Sequence, residues 1–118
     1  MADELTDDEL ASLTTRLHAE LARLRASIAG ADERSETVEL DGSMGRLSRM
    51  DALQQQEMAM AQARQARVRI KSLAAALKRV ENDDYGWCPD CGEPIGFRRL
   101  DARPEAPFCV ACTATRGG

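Results

Sequence analysis

All four aromatic residues of this chain, Tyr85, Trp87, Phe97 and Phe108, fall in its last third, and residues 1–84 contain none. Large rings fill globular cores, whereas helix seams are built from small and branched apolar groups. The first 84 residues are rich in Ala, Leu, Arg, Gln and Glu, which is the makeup of long helices. A single core spread over all 118 residues is therefore not expected. The distribution calls for an extended helical element followed by a small module.

The helical element has readable grammar. In "TDDELASLTTRLHAELARLRASIAG", Thr6 and Glu9 form a capping box, and Asp7 and Asp8 suit the positive end of the helix dipole. Leu10, Leu13, Leu17, Leu21, Leu24 and Ile28 make one apolar stripe, and Gly30 is a natural stop. The spacing predicts a helix over about 7–29. A second stripe runs through Ile70, Leu73, Leu77 and Val80, and backward through Ala63, Met60 and Leu53. Asn82 and "NDDYG" close it, and a start near Gly45 or at Ser48 with Asp51 gives a helix over about 46–82. At ~1.5 Å per residue such a helix is roughly 50 Å long. Residues 30–47 are then the tip of a hairpin. Residues 1–82 are expected to form an antiparallel helical hairpin, a coiled coil, and residues 83–118 a separate module.

Charge follows the same division. Residues 1–44 carry 11 acids and 4 bases, and residues 45–82 carry 3 acids and 8 bases. Opposite charge on the two helical segments suits antiparallel pairing, although each exposed pair contributes little. The overall net charge of −4 speaks against a general nucleic-acid binder. Met44, Met50, Met58 and Met60 gather near the tip. Met50 and Met60 read first as seam filling, with a partner-binding surface as the alternative. His18, the sole histidine, lies one position off the leucine stripe and reads as a surface residue.

Cys88 and Cys91 are followed, after 17 intervening residues, by Cys109 and Cys112. The pattern C-x2-C-x17-C-x2-C has the spacing of a four-thiolate metal site, because each C-x2-C turn aims two sulfurs at one point. Pro89 stiffens the first turn, and Gly92 permits the unusual backbone after it. A module this small cannot bury a useful core unaided, and metal binding supplies on the order of 10 kcal/mol of folding free energy. One structural zinc ion is the expected occupant. Iron would also suit four thiolates. A redox dithiol would want one C-x-x-C within a βαβ unit, and two disulfides would need an oxidising compartment. The acidic start "MADELTDDEL" does not read as a signal peptide, and no apolar run is long enough for a bilayer, so a cytoplasmic setting is expected.

"YGWCPDCGEPIGFRRLDARPEAPFCVAC", preceded by "LKRVENDD", resembles the C4-type zinc finger of the DksA/TraR family of bacterial transcription factors. The resemblance covers about residues 77–112, and the hairpin ahead of it agrees with the family by pattern alone. It implies a transcription regulator that binds RNA polymerase. In such proteins the hairpin enters the secondary channel, the zinc module rests on its rim, and acidic tip residues approach the catalytic Mg²⁺. Some members act together with ppGpp. This chain departs from the family at the tip. Counted back from Cys88, the D-x-x-D-x-A motif of the best-known members falls on "GRLSRM", with Gly45 and Ser48 in the acidic positions. Arg49 matches the basic residue inside the motif, and Asp41 and Asp51 lie nearby. The residues expected to meet a partner are Asp41, Arg46, Ser48, Arg49 and Asp51 at the tip, and Arg98, Arg99 and Arg103 in the zinc module.

The leading expectation is a monomeric regulator acting through the secondary channel, with no chemistry of its own. No nucleophile–base pair or open metal position is visible, so an enzyme is not expected. Neither membrane association nor direct sequence-specific nucleic-acid binding is expected. Two alternatives stand beside it: a zinc-stapled protein-interaction module that has lost the acidic-tip activity, and a redox- or zinc-responsive stress protein.

Overall fold

The computed structural model describes residues 2–41 and 49–117. Four helices follow one another there: α1 (Asp7–Asp41), α2 (Arg49–Glu81), α3 (Phe97–Ala102) and α4 (Val110–Thr115). Among the described residues the only β pairing is a single antiparallel bridge between Trp87 and Pro94. The fold is mainly helical.

The expected capping box begins α1. The Thr6 backbone N–H donates to Glu9 Oε1 at 2.9 Å, and the Glu9 N–H donates to Thr6 Oγ1 at 3.1 Å. The expected end at residue 29 is corrected: α1 continues through Gly30 to Asp41. One interior glycine costs only about 1 kcal/mol relative to alanine. Residues 31–41 add no further glycine and no proline, so nothing stops the helix there. The tip read as 30–47 is accordingly too long at its first end. Residues 42–48, which include Arg46 and Ser48, lie outside the described residues.

The end of α2 at Glu81 falls one residue short of the expected Asn82. Asp83 adopts a left-handed backbone (φ 61°), which turns the chain out of the helix. The Asp84 and Tyr85 N–H groups then both donate to the Arg79 carbonyl, at 2.8 and 3.1 Å. Those bonds satisfy a helix-end carbonyl that would otherwise have no partner.

Packing divides the chain into two compact units, Met1–Leu21 with Lys71–Gly118, and Ala22–Ile70. Residue 82 is thus not a boundary of packing: the zinc-bearing segment shares a core with the helix ends beside it. In the first unit Leu13 and Leu17 of α1, Leu73 and Ala76 of α2, and Leu100 of α3 are fully buried. Tyr85, Cys88, Ile95 and Ala106 join them. The beginning of α1 meets the end of α2 here, so the two helices run antiparallel within this unit. Arg16 of α1 reaches α3, donating to the Asp101 carboxylate and to its backbone carbonyl, both at 2.8 Å. The segment before α1 lies against the same module. At Gly96 (φ 96°) a Cβ would stand 2.6 Å from the Ala2 Cβ, so only glycine lets these two segments approach this closely.

In the second unit Leu24 of α1 is buried. On α2, Ala52, Ala61, Ala63, Ala66 and Ile70 are half-buried. Met50, Leu53, Met58, Met60 and Val68 are all exposed. The seam expected through Met60 and Leu53 is therefore not formed at those two positions, and the half-buried small residues nearest them are Ala52, Ala61 and Ala63. His18 is exposed, as expected.

Candidate metal centre

The first cysteine pair sits in a turn pinned at both ends. The Cys88 N–H donates to the Glu93 carbonyl at 2.9 Å, and the Gly92 N–H donates to the Cys88 carbonyl at 2.8 Å. Gly92 takes a left-handed conformation (φ 75°) that residues with a Cβ adopt at a cost. The Trp87–Pro94 bridge closes the base, and the Ile95 N–H donates to the Gly86 carbonyl at 2.8 Å. The second pair sits at the start of α4. Cys109 is its N-cap, and its sulfur accepts from the Cys112 N–H at 3.4 Å. One turn and one helix start thus each present two sulfurs.

The four sulfurs lie within 4.8 Å of one another, and none is in a disulfide. Zinc–sulfur bonds of about 2.3 Å in a tetrahedron require sulfurs about 3.8 Å apart. The Cys91 and Cys109 sulfurs are 3.8 Å apart. Protonation in the cluster is strained in a way that fits a dication. Burial opposes ionisation of Cys88, but backbone N–H groups of Cys109, Cys91 and Asp90 outweigh it and bring this thiol down to about 6. Bonds to the Cys109 and Cys88 sulfurs, with burial, push Cys112 up to about 12. One thiol ionises readily and another resists, because thiolates this close repel unless a cation sits among them. The four cysteines hold one structural zinc, and with four protein sulfurs no position is left for water or substrate. The ion supplies a cross-link between the two turns.

Two features of the surroundings have no signal in the spacing. Arg116, four residues after Cys112, grips the carboxylate of Asp90, which lies between Cys88 and Cys91. Glu105 is only 4% exposed and lies 3.8 Å from the Arg103 guanidinium. Of the arginines expected to meet a partner, Arg98 and Arg103 are exposed, while Arg99 is half-buried with its Nε buried and unbonded. At the other expected contact region, Asp41 ends α1, and Arg49 and Asp51 are exposed in the first turn of α2.

Tyr85 provides an optical reporter of this packing, since it is the sole tyrosine. Its hydroxyl donates to the Pro104 carbonyl at 2.8 Å, and burial pushes its pKa up to about 12 from an ordinary 10. A raised pKa stabilises the fold fully below the unfolded value and loses that contribution as pH rises through the folded one. Tyrosinate absorbance is therefore expected to appear only as pH approaches about 12, together with loss of tertiary structure. Titration at the ordinary value in folded protein would contradict the buried hydrogen bond.

Residues 83–116 match the family model of the prokaryotic dksA/traR C4-type zinc finger. Over 43 residues, 36% of this chain, the sequence is 51% identical to the RNA polymerase-binding transcription factor DksA of Haemophilus influenzae, covering 30% of that protein. The identity is also 51% over 43 residues with the protein of the same name from Escherichia coli K12, covering 28% of it. The matched segment therefore spans less than a third of these curated relatives. The structure of transcription factor DksA2 from Pseudomonas aeruginosa is similar over 93% of this chain and 84% of that one, with a TM-score of 0.77 at 25% identity. The zinc-finger match fixes the C-terminal module, and the structural likeness extends through the helices that precede it. On these grounds residues 83–116 form a C4-type zinc finger of the dksA/traR kind, and the chain as a whole is similar in fold to DksA2.

Proposed function

We propose that this protein is a transcription regulator that binds RNA polymerase through the secondary channel. The observation that carries the reading is the 51% identity over 43 residues to proteins named RNA polymerase-binding transcription factor DksA. The likeness to DksA2 over 93% of the chain supports extending it beyond the zinc module. Two long helices, α1 and α2, suit the task, because a helical element can enter a pore too narrow for a globular domain. The zinc module rests on the rim of the channel, with Arg98, Arg99 and Arg103 as contacts to the polymerase surface. The protein works as a cytoplasmic monomer and performs no chemical step.

The acidic function falls to Asp41 and Asp51. They flank residues 42–48, where Gly45 and Ser48 stand in place of the family's acids. Carboxylates beside a catalytic Mg²⁺ perturb its coordination and the charge around it. Arg46, Ser48 and Arg49 complete the contact surface at this end.

Pull-down with core polymerase, followed by run-off transcription from a ribosomal promoter with and without ppGpp, tests the proposal. Binding at micromolar protein is expected, with an effect on transcription that falls in Asp41→Ala and Asp51→Ala. Absence of binding would refute it. The substitutions at positions 45 and 48 favour a second reading, a scaffold that has lost the acidic-tip activity. Polymerase binding with no effect on transcription, unchanged in both Asp variants, would select that reading.

A further inference from the structure

The Asp90–Arg116 pair joins the two halves of the metal centre. Asp90 lies within the first cysteine turn, and Arg116 is the C-cap of α4, whose N-terminal end carries the second cysteine pair. The contact is two-pronged: Arg116 Nε donates to Asp90 Oδ2 at 2.6 Å, and an Nη donates to Oδ1 at 2.8 Å. The guanidinium also lies 4.1 Å from the centre of the Phe108 ring, next to Cys109. The arginine backbone is held as well, its N–H donating to the Cys112 carbonyl at 3.1 Å. Carboxylate, ring and helix end together fix a side chain that would otherwise sample many rotamers.

We infer that Arg116, through Asp90, is the latch of the zinc centre and sets how slowly the four cysteines give up their metal. The inference rests on zinc being the bound ion. Release requires the Cys88–Cys91 turn to part from the Cys109–Cys112 turn, and that separation must first break the two-pronged contact. An ordinary exposed ion pair contributes little, and these side chains are 52% and 35% exposed. This pair differs in having fork geometry and a ring beneath the cation, both of which strengthen it.

Its charge pattern predicts an asymmetry. Four thiolates around Zn²⁺ leave a centre of net negative charge. Removing Arg116 strands the Asp90 carboxylate beside that centre, whereas removing the Asp90 charge leaves a cation beside it. Arg116 is therefore the more important partner.

The test is the rate of zinc transfer from the loaded full-length protein to an excess of a chromogenic chelator, after zinc content has been measured for each variant. Arg116→Gln is expected to release zinc about tenfold faster, the lower end of the effect of residues that support metal ligands. Asp90→Asn should accelerate release less, and the double variant no more than Arg116→Gln. Arg116→Lys keeps the charge without the fork and should fall between wild type and Arg116→Gln. Release from loaded Arg116→Gln at the wild-type rate, or independent multiplication of the two single effects in the double variant, would overturn the latch. So would an Arg116→Lys variant as slow as wild type. Wild-type protein that binds no zinc would overturn the metal assignment with it.

Discussion

Stripping the zinc is expected to unfold the base of this protein, including the helix ends packed against the metal module. The reason is a shared core. Cys88 is 1% exposed, and Ile95, Leu100 and Ala106 from the zinc-bearing segment are buried with Leu13, Leu17 and Leu73 from α1 and α2. Residues 83–116 have two six-residue helices and one isolated bridge as their regular structure. Elements that short do not persist without something to hold them. Metal binding supplies on the order of 10 kcal/mol to modules of this kind, comparable to the ~5–15 kcal/mol that separates a typical folded domain from its unfolded chain. Chelation, or Cys88→Ser, should therefore abolish the near-ultraviolet signal of Trp87, the sole tryptophan, and reduce helicity at the same time. Restoring zinc to the stripped wild type should recover both signals. Retention of the tryptophan signal and of the melting transition in metal-free protein would show that packing alone holds the base.

The parts of this structure that were legible in the sequence are those set by local chemistry. The Thr6–Glu9 box needs only residues three apart, and the two C-x2-C turns need only their own spacing and Gly92. Helix α1 passes through Gly30, against the expected stop, because a glycine stop is a propensity of about 1 kcal/mol, and the length of helix on either side outweighs it. The face of α2 near Met60 and Leu53 departs from the expected stripe for a different reason. Hydropathy favours large apolar residues, but a seam can also be lined by small ones, and alanines occupy the half-buried positions there. The contacts that join Arg16 to Asp101 and Arg116 to Asp90 are made between residues 85 and 26 positions apart. Charged residues occur throughout the chain, so nothing in their spacing singles out these pairs before the fold brings them together. The same holds for the shared core, which combines a stripe read on α1 with a module read as separate.

That shared core makes Leu17 the position at which a single side chain should cost most outside the metal centre. Leu17 is fully buried, as are Leu13 on the preceding turn and Leu73 and Leu100 on the facing elements. Leu17→Ala removes buried apolar surface and leaves a cavity that its neighbours fill only in part. Such truncations destabilise by about 2–5 kcal/mol. The upper half of that range is expected here, because collapse is restrained from several sides. The Arg16–Asp101 contact ties the adjacent residue of α1 to α3, which carries Leu100, and the four sulfurs within 4.8 Å of one another tie together the two cysteine pairs of the module. Thermal melting of the zinc-loaded variant should show a transition many degrees below wild type, with zinc content unchanged at low temperature. Leu53→Ala is the control: that side chain is 52% exposed, and its loss should move the transition little. Equal effects at the two positions would mean that the base lacks the packed core described, and that its stability comes from the metal cross-link alone.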